Sequence, residues 1–308
     1  MRWFSLQCLA RRQTTSILYK RMTEFAENNS ALSVVNRRFN EGSLPLHRTD
    51  DHSVFALFEG GAMRSIIVAA EAATASFLQR HKAFDRYSGT SSGGVIAMCV
   101  AAEQVDDMMA VFLNKVPCPE FISLKRIHKG NITDAEYFVG EILMGDPCIK
   151  WESVRDSETP VDLIARSAVT KESVVFSNFK SREDMFGSLK AAVWMPRVAG
   201  WRPHIHNGHP YWDHRSNGLE VVTAQAPTHI VIFRGSDKEL KYPKTVLEAN
   251  VEIEEIKPPK TIRRLEKRQR ILKNAVKIGA LTALEAFAAT EAEVDLVRER
   301  FDQHGISI

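Results

Sequence analysis

Cysteine is scarce in this chain of 308 residues. The four cysteines, at positions 8, 99, 118 and 148, form no C-x-x-C pair and no spacing typical of zinc ligands. No run of eighteen or more apolar residues occurs, so the sequence predicts no transmembrane helix. Neither G-x-G-x-x-G nor G-x-x-x-x-G-K-[ST] is present, which argues against a nucleotide site at the Gly-Gly pair of residues 60–61. These absences argue against a disulfide framework and a cysteine-based metal site, and they favour a reducing compartment.

Acidic side chains are absent from the first twenty-three residues, where five Lys or Arg precede Glu24. A basic, acid-free segment with Ser and Thr is typical of a mitochondrial transit peptide. A basic N-terminal helix, or translation from Met22, explains the same composition. We interpret residues 1–23 as a targeting peptide or basic extension and residues 24–52 as a polar, irregular lead-in segment. The expected location is intracellular, either soluble or peripheral to a membrane, with mitochondria as one destination.

The rest of the composition is ordinary for a globular protein, at 44% hydrophobic and 26% charged residues with a formal net charge of +3. Apolar runs with a helical period alternate with short β-branched runs. The predicted strands are Ser53–Phe58, Phe84–Tyr87, 170–176, His209–Asp213 and Thr228–Phe233. The predicted helices are Ile66–Phe77, Val95–Ala102 and Ser188–Val198. This alternation predicts an α/β fold over residues 53–235, with a mostly parallel sheet and helices on both faces.

The segment Gly89-Thr90-Ser91-Ser92-Gly93 reads G-x-S-x-G at the end of a predicted strand. Small flanking residues let the chain turn sharply into a helix and expose the hydroxyl, so Ser91 is the predicted nucleophile. About thirty residues upstream, Gly60, Gly61 and Ala62 follow the first strand, and their backbone N–H groups are the predicted oxyanion hole. The alternative is a tight strand–helix connection without chemistry.

The motifs E-G-G-x-x-R, G-T-S-S-G-G and Y-W-D, in this order, resemble the patatin-like phospholipase family. The resemblance spans about Val54 to Phe233. It implies a three-layer α/β/α fold and hydrolysis of a lipid acyl ester through an acyl-serine intermediate, without a metal, a cofactor or a catalytic histidine. By position, Ser91 corresponds to the nucleophile and Asp213 to the base of a Ser–Asp dyad. Arg64 corresponds to the arginine of the oxyanion loop.

Three positions depart from the family pattern: Ala62, Ser65 and His214 each stand where the family has glycine. Alanine does not readily adopt a positive φ, so the oxyanion loop is expected to be shifted. His214 adds a titrating ring beside the proposed base. Either His214 tunes the dyad, or the site belongs to an inactive relative.

Other interpretations of these residues stay open. An α/β-hydrolase triad would combine Ser91 and Asp213 with His229 or His304. A scaffold protein that binds a lipid without hydrolysing it would need neither a dyad nor a triad. Asp213 would then cap a turn. His204 and His206 could bind a metal from one face of a strand, although we favour loop histidines around a cleft.

The C-terminal residues 236–308 are predicted to be a basic helical extension packed on the domain. Residues 257–278 carry nine Lys or Arg against the single acid Glu266, with Leu272 and Val276 spaced for one helix face. A solvated surface helix and a peripheral contact with an anionic membrane both explain this pattern. The expected partner is a lipid or acyl-ester substrate, and no nucleic acid is expected.

Overall fold

The computed structural model describes residues 29–145, 149–214 and 216–308, so the targeting peptide predicted for residues 1–23 lies outside it. Within the described residues one sheet holds eight strands. They are β1 Val54–Phe58, β2 Arg86–Thr90, β3 Val161–Ser167, β4 Ser173–Phe176, β5 His204–His206, β6 His209–Asp213, β7 His229–Phe233 and β8 Glu252–Ile256.

The sheet is mostly parallel. Its strand order is β5-β6-β3-β2-β1-β7-β8, and β4 also pairs with β3. The pairs β3–β2, β2–β1, β1–β7 and β7–β8 are parallel, whereas β4, β5 and β6 form the antiparallel pairs. The carboxyl ends of the central strands therefore meet at one edge, where open α/β sheets bind ligands.

Helices alternate with the strands. They are α1 Ala31–Asn40, α2 Ser65–Phe77, α3 Ser92–Ala101, α4 Val105–Ala110, α5 Ala135–Tyr137, α6 Trp151–Arg155, α7 Arg182–Val193, α8 Leu219–Thr223, α9 Lys244–Leu247, α10 Gln269–Ala286 and α11 Glu291–Asp302. Short 3₁₀ turns occupy Ala62–Arg64, Arg80–Ala83 and Leu124–Lys129, and π-helical turns occupy Val111–Lys115 and Phe138–Leu143. In the part of the chain that the structure describes, no helix is both long and apolar enough to cross a bilayer.

Both faces of the sheet are covered, and β1 shows why. All five of its residues are buried. Ala56 and Phe58 belong to the core on the side of α2, α3 and α10, whereas Phe55 and Leu57 belong to a second core with residues of α8 and α9. A central parallel strand with helices on both sides must be apolar throughout, which is why its sequence is the uninterrupted run VFALF. The predicted α/β class and mostly parallel sheet are thus confirmed.

The segment 236–308 is not wholly helical. It contributes β8 to the central sheet, so residue 235 does not separate two structural units. The helix predicted within residues 257–278 begins only at Gln269. Pro258 and Pro259 disfavour a helix that includes the residues before them, but they do not account for the non-helical residues 260–268. In α10, Leu272 and Val276 are fully buried, and α10 packs along α2 so closely that a Cβ on Gly279 would overlap the Ile67 carbonyl.

The lead-in segment 24–52 was predicted to be irregular, and this is wrong for α1. The helix is capped by Ser30 and is held to the sheet by Arg38, which is fully buried. The Arg38 guanidinium pairs with Asp50 at 2.7 Å and with Asp85 at 2.8 Å, and it donates to two backbone carbonyls. Four small or aliphatic residues, Ala31, Leu32, Val34 and Val35, are buried on the same side of the helix as Arg38, and the prediction of an irregular segment overlooked this short apolar stripe.

The Arg38–Asp50 pair predicts a specific loss of stability in acid. The Arg38 guanidinium, which hydrogen-bonds to the Asp50 carboxylate, lowers the pKa of Asp50 to about 2. A carboxyl group whose pKa is lower in the folded than in the unfolded protein stabilises the fold at pH values above its unfolded pKa, near 4. This stabilisation is lost as the pH falls toward 2. We expect the Tm difference between the wild type and Asp50→Asn to be large at pH 6 and to shrink between pH 4 and pH 3. A Tm difference that stays constant over this range would contradict the assignment.

Candidate active site at the carboxyl ends of β1 and β2

Ser91 occupies the sharp turn between β2 and α3. Its backbone has φ 54° and ψ −131°, a conformation that residues other than glycine rarely adopt. The flanking glycines make this turn sterically feasible. A Cβ on Gly93 would lie 2.8 Å from the Phe58 carbonyl carbon and closer still to its oxygen, and a Cβ on Gly89 would overlap Gly93. The G-x-S-x-G spacing is therefore a packing requirement of the turn that presents the Ser91 hydroxyl.

The Gly60–Ala62 loop lies directly against this turn. A Cβ on Gly60 would lie 2.5 Å from the Thr90 carbonyl oxygen and 2.7 Å from Ser91 Cβ. Hydrogen bonds also join the two segments: the Gly60 N–H donates to Thr90 Oγ1 at 3.3 Å and the Gly61 N–H to Ser92 Oγ at 3.2 Å. The loop predicted to bind an oxyanion is thus beside Ser91, with these two N–H groups bonded to side-chain hydroxyls.

Two of the three departures from the glycine pattern have a structural role here. Ala62 adopts φ 52°, so it keeps the left-handed backbone that glycine would supply, at a cost of about 1–2 kcal/mol. The Ser65 hydroxyl, fully buried at the start of α2, hydrogen-bonds to Ser92 Oγ at 2.7 Å. Ser65 therefore fastens α2 to α3 immediately beside the nucleophile turn.

Asp213 reaches this site through the register of the sheet. On β3, residue Ile164 pairs with Thr90 of β2, and the next residue, Ala165, pairs with Asp213 of β6. Since β4 occupies the other edge of β3 at both positions, β6 continues along the edge where β2 ends. Asp213 therefore follows Thr90 along this edge, next to the turn that holds Ser91, and it is 3% exposed.

A polar cavity of about 300 Å³ contains both predicted catalytic residues. Its lining consists of Gly60, Gly61, Thr90, Ser91, Met195, Asp213, Ser216 and Arg264. The structure thus brings together the residues predicted for the nucleophile, the base and two members of the oxyanion loop. Sequence reasoning did not identify Met195, Ser216 or Arg264. The excess of Lys and Arg in 257–278 was the signal for Arg264, but it could not locate the residue.

A second, apolar cavity of about 220 Å³ begins at the same serine. Ala62, Ser91 and Ser92 border it at one end, and most of the remaining wall is aliphatic or aromatic: Phe112, Val116, Phe121, Ile132, Thr133, Ala135, Phe138, Val193, Met195, Val198, Arg264 and Leu265. Ser91, Met195 and Arg264 line both cavities. Ser91 therefore borders both a polar and an apolar cavity.

His214, the residue after the proposed base, does not line either cavity. Its Nε2 hydrogen-bonds to Ser173 Oγ at 2.7 Å and its Nδ1 to Ser216 Oγ at 2.8 Å. Burial lowers the pKa of His214, which favours the neutral ring that accepts one of these bonds and donates the other. His214 thus positions Ser216, which does line the polar cavity.

The alternative triad does not fit this geometry. His229 lies at the amino end of β7, four residues before the edge that carries Ser91, which is about 13 Å along a strand. Its two ring nitrogens bond to Thr228 Oγ1 and to the Asn29 carbonyl. His304 follows α11 and bonds to Asp106. Neither histidine lines a cavity with Ser91.

The histidines at 204–214 are dispersed. His206 is buried, with Nε2 at 3.2 Å from both Asp184 and Ser188, whereas the His204 ring packs against Trp194. His209 is exposed. Across residues 29–145, 149–214 and 216–308, no group of three or more His, Cys, Asp or Glu is arranged to hold a metal ion.

A buried charge cluster lies beside the oxyanion loop. Glu59, immediately before Gly60, accepts a hydrogen bond from the Gly235 N–H at 3.0 Å, and burial raises its pKa. Arg234 is 2% exposed and pairs with Glu255 of β8. Glu71, fully buried in α2, has its pKa raised well above the usual range by desolvation. The cluster fixes the ends of β1, β7 and β8 in place.

A larger cavity of about 520 Å³ lies near the amino end of β2, lined by His81, Lys82, Tyr87, Glu103 and Thr159 among others. It lies at the edge of the sheet that carries the amino ends of the parallel strands, opposite the edge that carries Ser91. None of the residues predicted for catalysis lines it. We therefore place the functional site at Ser91, although the cavities there are smaller.

No protein-family model matches the chain, and no curated protein matches it. Among solved structures, VipD from Legionella pneumophila is similar to this chain at 10% sequence identity, with 78% of this chain and 67% of that chain covered and a TM-score of 0.43. So distant a likeness carries no functional argument. The function must be inferred from the geometry of the site.

Proposed function

We propose that this protein is a serine acyl hydrolase of the patatin-like type, which cleaves the ester bond of a lipid through a Ser91–Asp213 dyad. The observation that carries the proposal is the position of Ser91. It sits on a strained turn, shares a polar cavity with the buried Asp213 and also borders an apolar cavity. Strained backbone at a nucleophile persists only when the surrounding structure enforces it, as the contacts of Gly60 and Gly93 do here.

In this mechanism the Asp213 carboxylate accepts the Ser91 hydroxyl proton while Ser91 Oγ attacks the ester carbonyl carbon. The tetrahedral intermediate collapses when the C–O bond to the alcohol breaks, and the leaving alkoxide takes the proton from Asp213. Asp213 then accepts a proton from water, which attacks the acyl-Ser91 carbonyl. The second collapse returns the proton to Ser91 Oγ and releases the carboxylic acid.

The oxyanion needs backbone donors next to Ser91 Oγ. Ser92 is the first residue of α3, and a helix offers no internal acceptor to the N–H of its first residue. Ala62 borders the apolar cavity beside Ser91. We propose that the N–H groups of Ser92 and Ala62 bind the oxyanion. Gly60 and Gly61 would join them only if Thr90 Oγ1 and Ser92 Oγ release their N–H groups.

The apolar cavity supplies the acyl site. Three phenylalanines, Phe112, Phe121 and Phe138, form part of its wall. Each methylene group of an acyl chain buried there gains about 0.8 kcal/mol. Such a cavity favours a substrate with at least one aliphatic chain and places its carbonyl carbon at Ser91.

Reaction with a fluorophosphonate probe tests the proposal directly, since such a probe forms a covalent adduct only with an activated serine. We expect Ser91 to be labelled and identified by peptide mass spectrometry. Ser153→Ala, a change on α6 away from both cavities, should label like the wild type. Absence of an adduct at Ser91, under conditions that label a control hydrolase, would contradict the proposal.

One observation favours a second candidate, a lipid-binding protein without hydrolase activity. The N–H groups of Gly60 and Gly61 are already bonded to hydroxyls, which is the arrangement expected of a loop that has lost its anion. Such a protein would bind an acyl chain at the apolar cavity and fail to label. Binding of an alkyl ligand without labelling would therefore distinguish it from the hydrolase.

We also propose that residues 257–278 make a peripheral contact with an anionic membrane. The Lys and Arg side chains on α10 are exposed, but the apolar face of this helix is packed on α2. The contact would therefore be electrostatic, without insertion into the bilayer, and sensitive to salt. Co-sedimentation with anionic vesicles that persists at high salt would contradict it.

A further inference from the structure

A strap formed by residues 257–268 runs along the carboxyl edge of the sheet, past the candidate active site. Three hydrogen bonds fix its course. Thr261 Oγ1 donates to the Gly235 carbonyl, the Arg264 carbonyl accepts from the Met63 N–H at 2.9 Å, and Lys267 Nζ donates to the Ile122 carbonyl at 3.2 Å. The strap is thereby held to Met63, the residue after the oxyanion loop, and to Ile122, the neighbour of Phe121 in the wall of the apolar cavity.

Two neighbouring residues of the strap have opposite chemistry at the boundary between the cavities. Leu265 lines only the apolar cavity, whereas Arg264 lines both cavities. The Arg264 side chain is exposed, so its guanidinium is hydrated and available to an incoming group. A substrate whose chain contacts Leu265 would therefore present its polar end to Arg264.

A second arginine, Arg64, directly follows Met63, whose N–H donates to the Arg264 carbonyl at 2.9 Å. Arg64 follows the oxyanion loop and is half-buried, and its Nε is buried without a hydrogen-bond partner among the described residues. Burial, and next the charge of Arg264, lowers the pKa of Arg64, while Glu59 and Asp237 act in the opposite direction. Two cations close enough to repel each other are stabilised by an anion that lies near both.

We infer that Arg264 binds the anionic group, phosphate or carboxylate, of a single-chain amphiphile whose alkyl chain occupies the apolar cavity, and that the nearby charge of Arg64, which lines neither cavity, adds to the attraction. This inference rests on the proposed function, because it names the substrate class of the same site. The ligand is an amphiphile, because Leu265 lines the apolar cavity and the adjacent Arg264 also lines the polar one. Arg264 is a binding residue here and has no part in the chemical steps.

Binding of octyl phosphate below its micelle concentration tests the inference without requiring turnover. We expect calorimetry on Ser91→Ala protein to show that Arg264→Gln weakens binding by about 10- to 100-fold, the usual effect of losing a charge-assisted hydrogen bond. Arg263→Gln removes the same charge from the neighbouring exposed position and should change binding less than about twofold. Arg264→Lys should recover part of the loss.

Three results would overturn the inference: equal weakening by Arg263→Gln and Arg264→Gln, octyl glucoside binding as tightly as octyl phosphate, or inorganic phosphate binding as tightly as octyl phosphate. The first would indicate general surface charge, the second would remove the role of the anion, and the third would indicate free phosphate as the ligand. A protein that binds octyl phosphate through Arg264 but does not label with fluorophosphonate keeps this inference and loses the proposed function.

Discussion

Ser91→Ala is expected to lower kcat/KM on a lipid ester by about 10⁴- to 10⁶-fold, because no other nucleophile can form the acyl intermediate. Asp213→Asn should lower it by about 10⁴-fold, since an amide cannot accept the serine proton. The two changes together should cost little more than Ser91→Ala alone, because residues that act as one unit are not additive. Steady-state kinetics on p-nitrophenyl esters and on phospholipid vesicles would measure these effects.

Stability must be separated from catalysis in this experiment, since Asp213 is buried at 3% exposure. Asp162→Asn is the matched control. Asp162 is 1% exposed on β3 and pairs with Arg86 at 2.8 Å, but it lines neither cavity. Its replacement should lower Tm and leave kcat/KM unchanged at temperatures where the protein is folded. Full activity of Ser91→Ala, or equal losses in Asp162→Asn and Asp213→Asn, would refute the dyad.

Gly93→Ala is expected to destabilise the fold by about 3 kcal/mol or more, at the upper end for an over-packed core. The added methyl group would collide with the Phe58 carbonyl and with Glu59, which are backbone atoms of the strand end and cannot rotate away. The turn and the oxyanion loop would have to separate. We therefore also expect Gly93→Ala protein, where folded, to lose fluorophosphonate labelling at Ser91.

Gly140→Ala provides the control for this prediction. Apart from its chain neighbours and the backbone of its own helical turn, no atom of the described residues lies within 4 Å of the position that its Cβ would take. Gly140 lies in the helical turn Phe138–Leu143, where alanine is favoured over glycine by about 0.5–1 kcal/mol. Gly140→Ala should therefore leave Tm equal or slightly higher, as measured by urea and thermal unfolding. A Gly93→Ala protein as stable as Gly140→Ala would show that the close approach of β1 and α3 is not required.

Local patterns in the sequence identified β1, β7 and the two helices behind them, but they missed β3, which lies between β2 and β6. The predicted strands Ser53–Phe58 and Thr228–Phe233 correspond to β1 and β7, and the predicted helices at 66–77 and 95–102 to α2 and α3. These elements are buried on all sides, so their composition is almost entirely apolar. The strand predicted at Phe84–Tyr87 was displaced toward its start, since β2 continues through Ser88, Gly89 and Thr90 into the serine turn.

Elements near the edge of the sheet were harder to predict. β8 has the sequence EIEEI, whose alternating charges resemble a surface segment, yet it pairs with β7 over five residues. The helix predicted over Ser188–Val198 is α7, which runs from Arg182 to Val193. An element with one exposed face shows only a weak periodicity of apolar residues. The segments that bury its other face are distant in sequence, so no local pattern reveals them.

The glycines at 89 and 93 were enough to predict the nucleophile turn, because only glycine there lets the backbone of β2 and α3 pass so close to β1. The same close approach requires small residues at the end of β2, beside Ser91. That Asp213 and Arg264 join Ser91 around one cavity is visible only in the folded chain. The pairing of β6 with β3, and the course of a strap that follows β8, depend on contacts between residues far apart in the chain, and no local pattern records them.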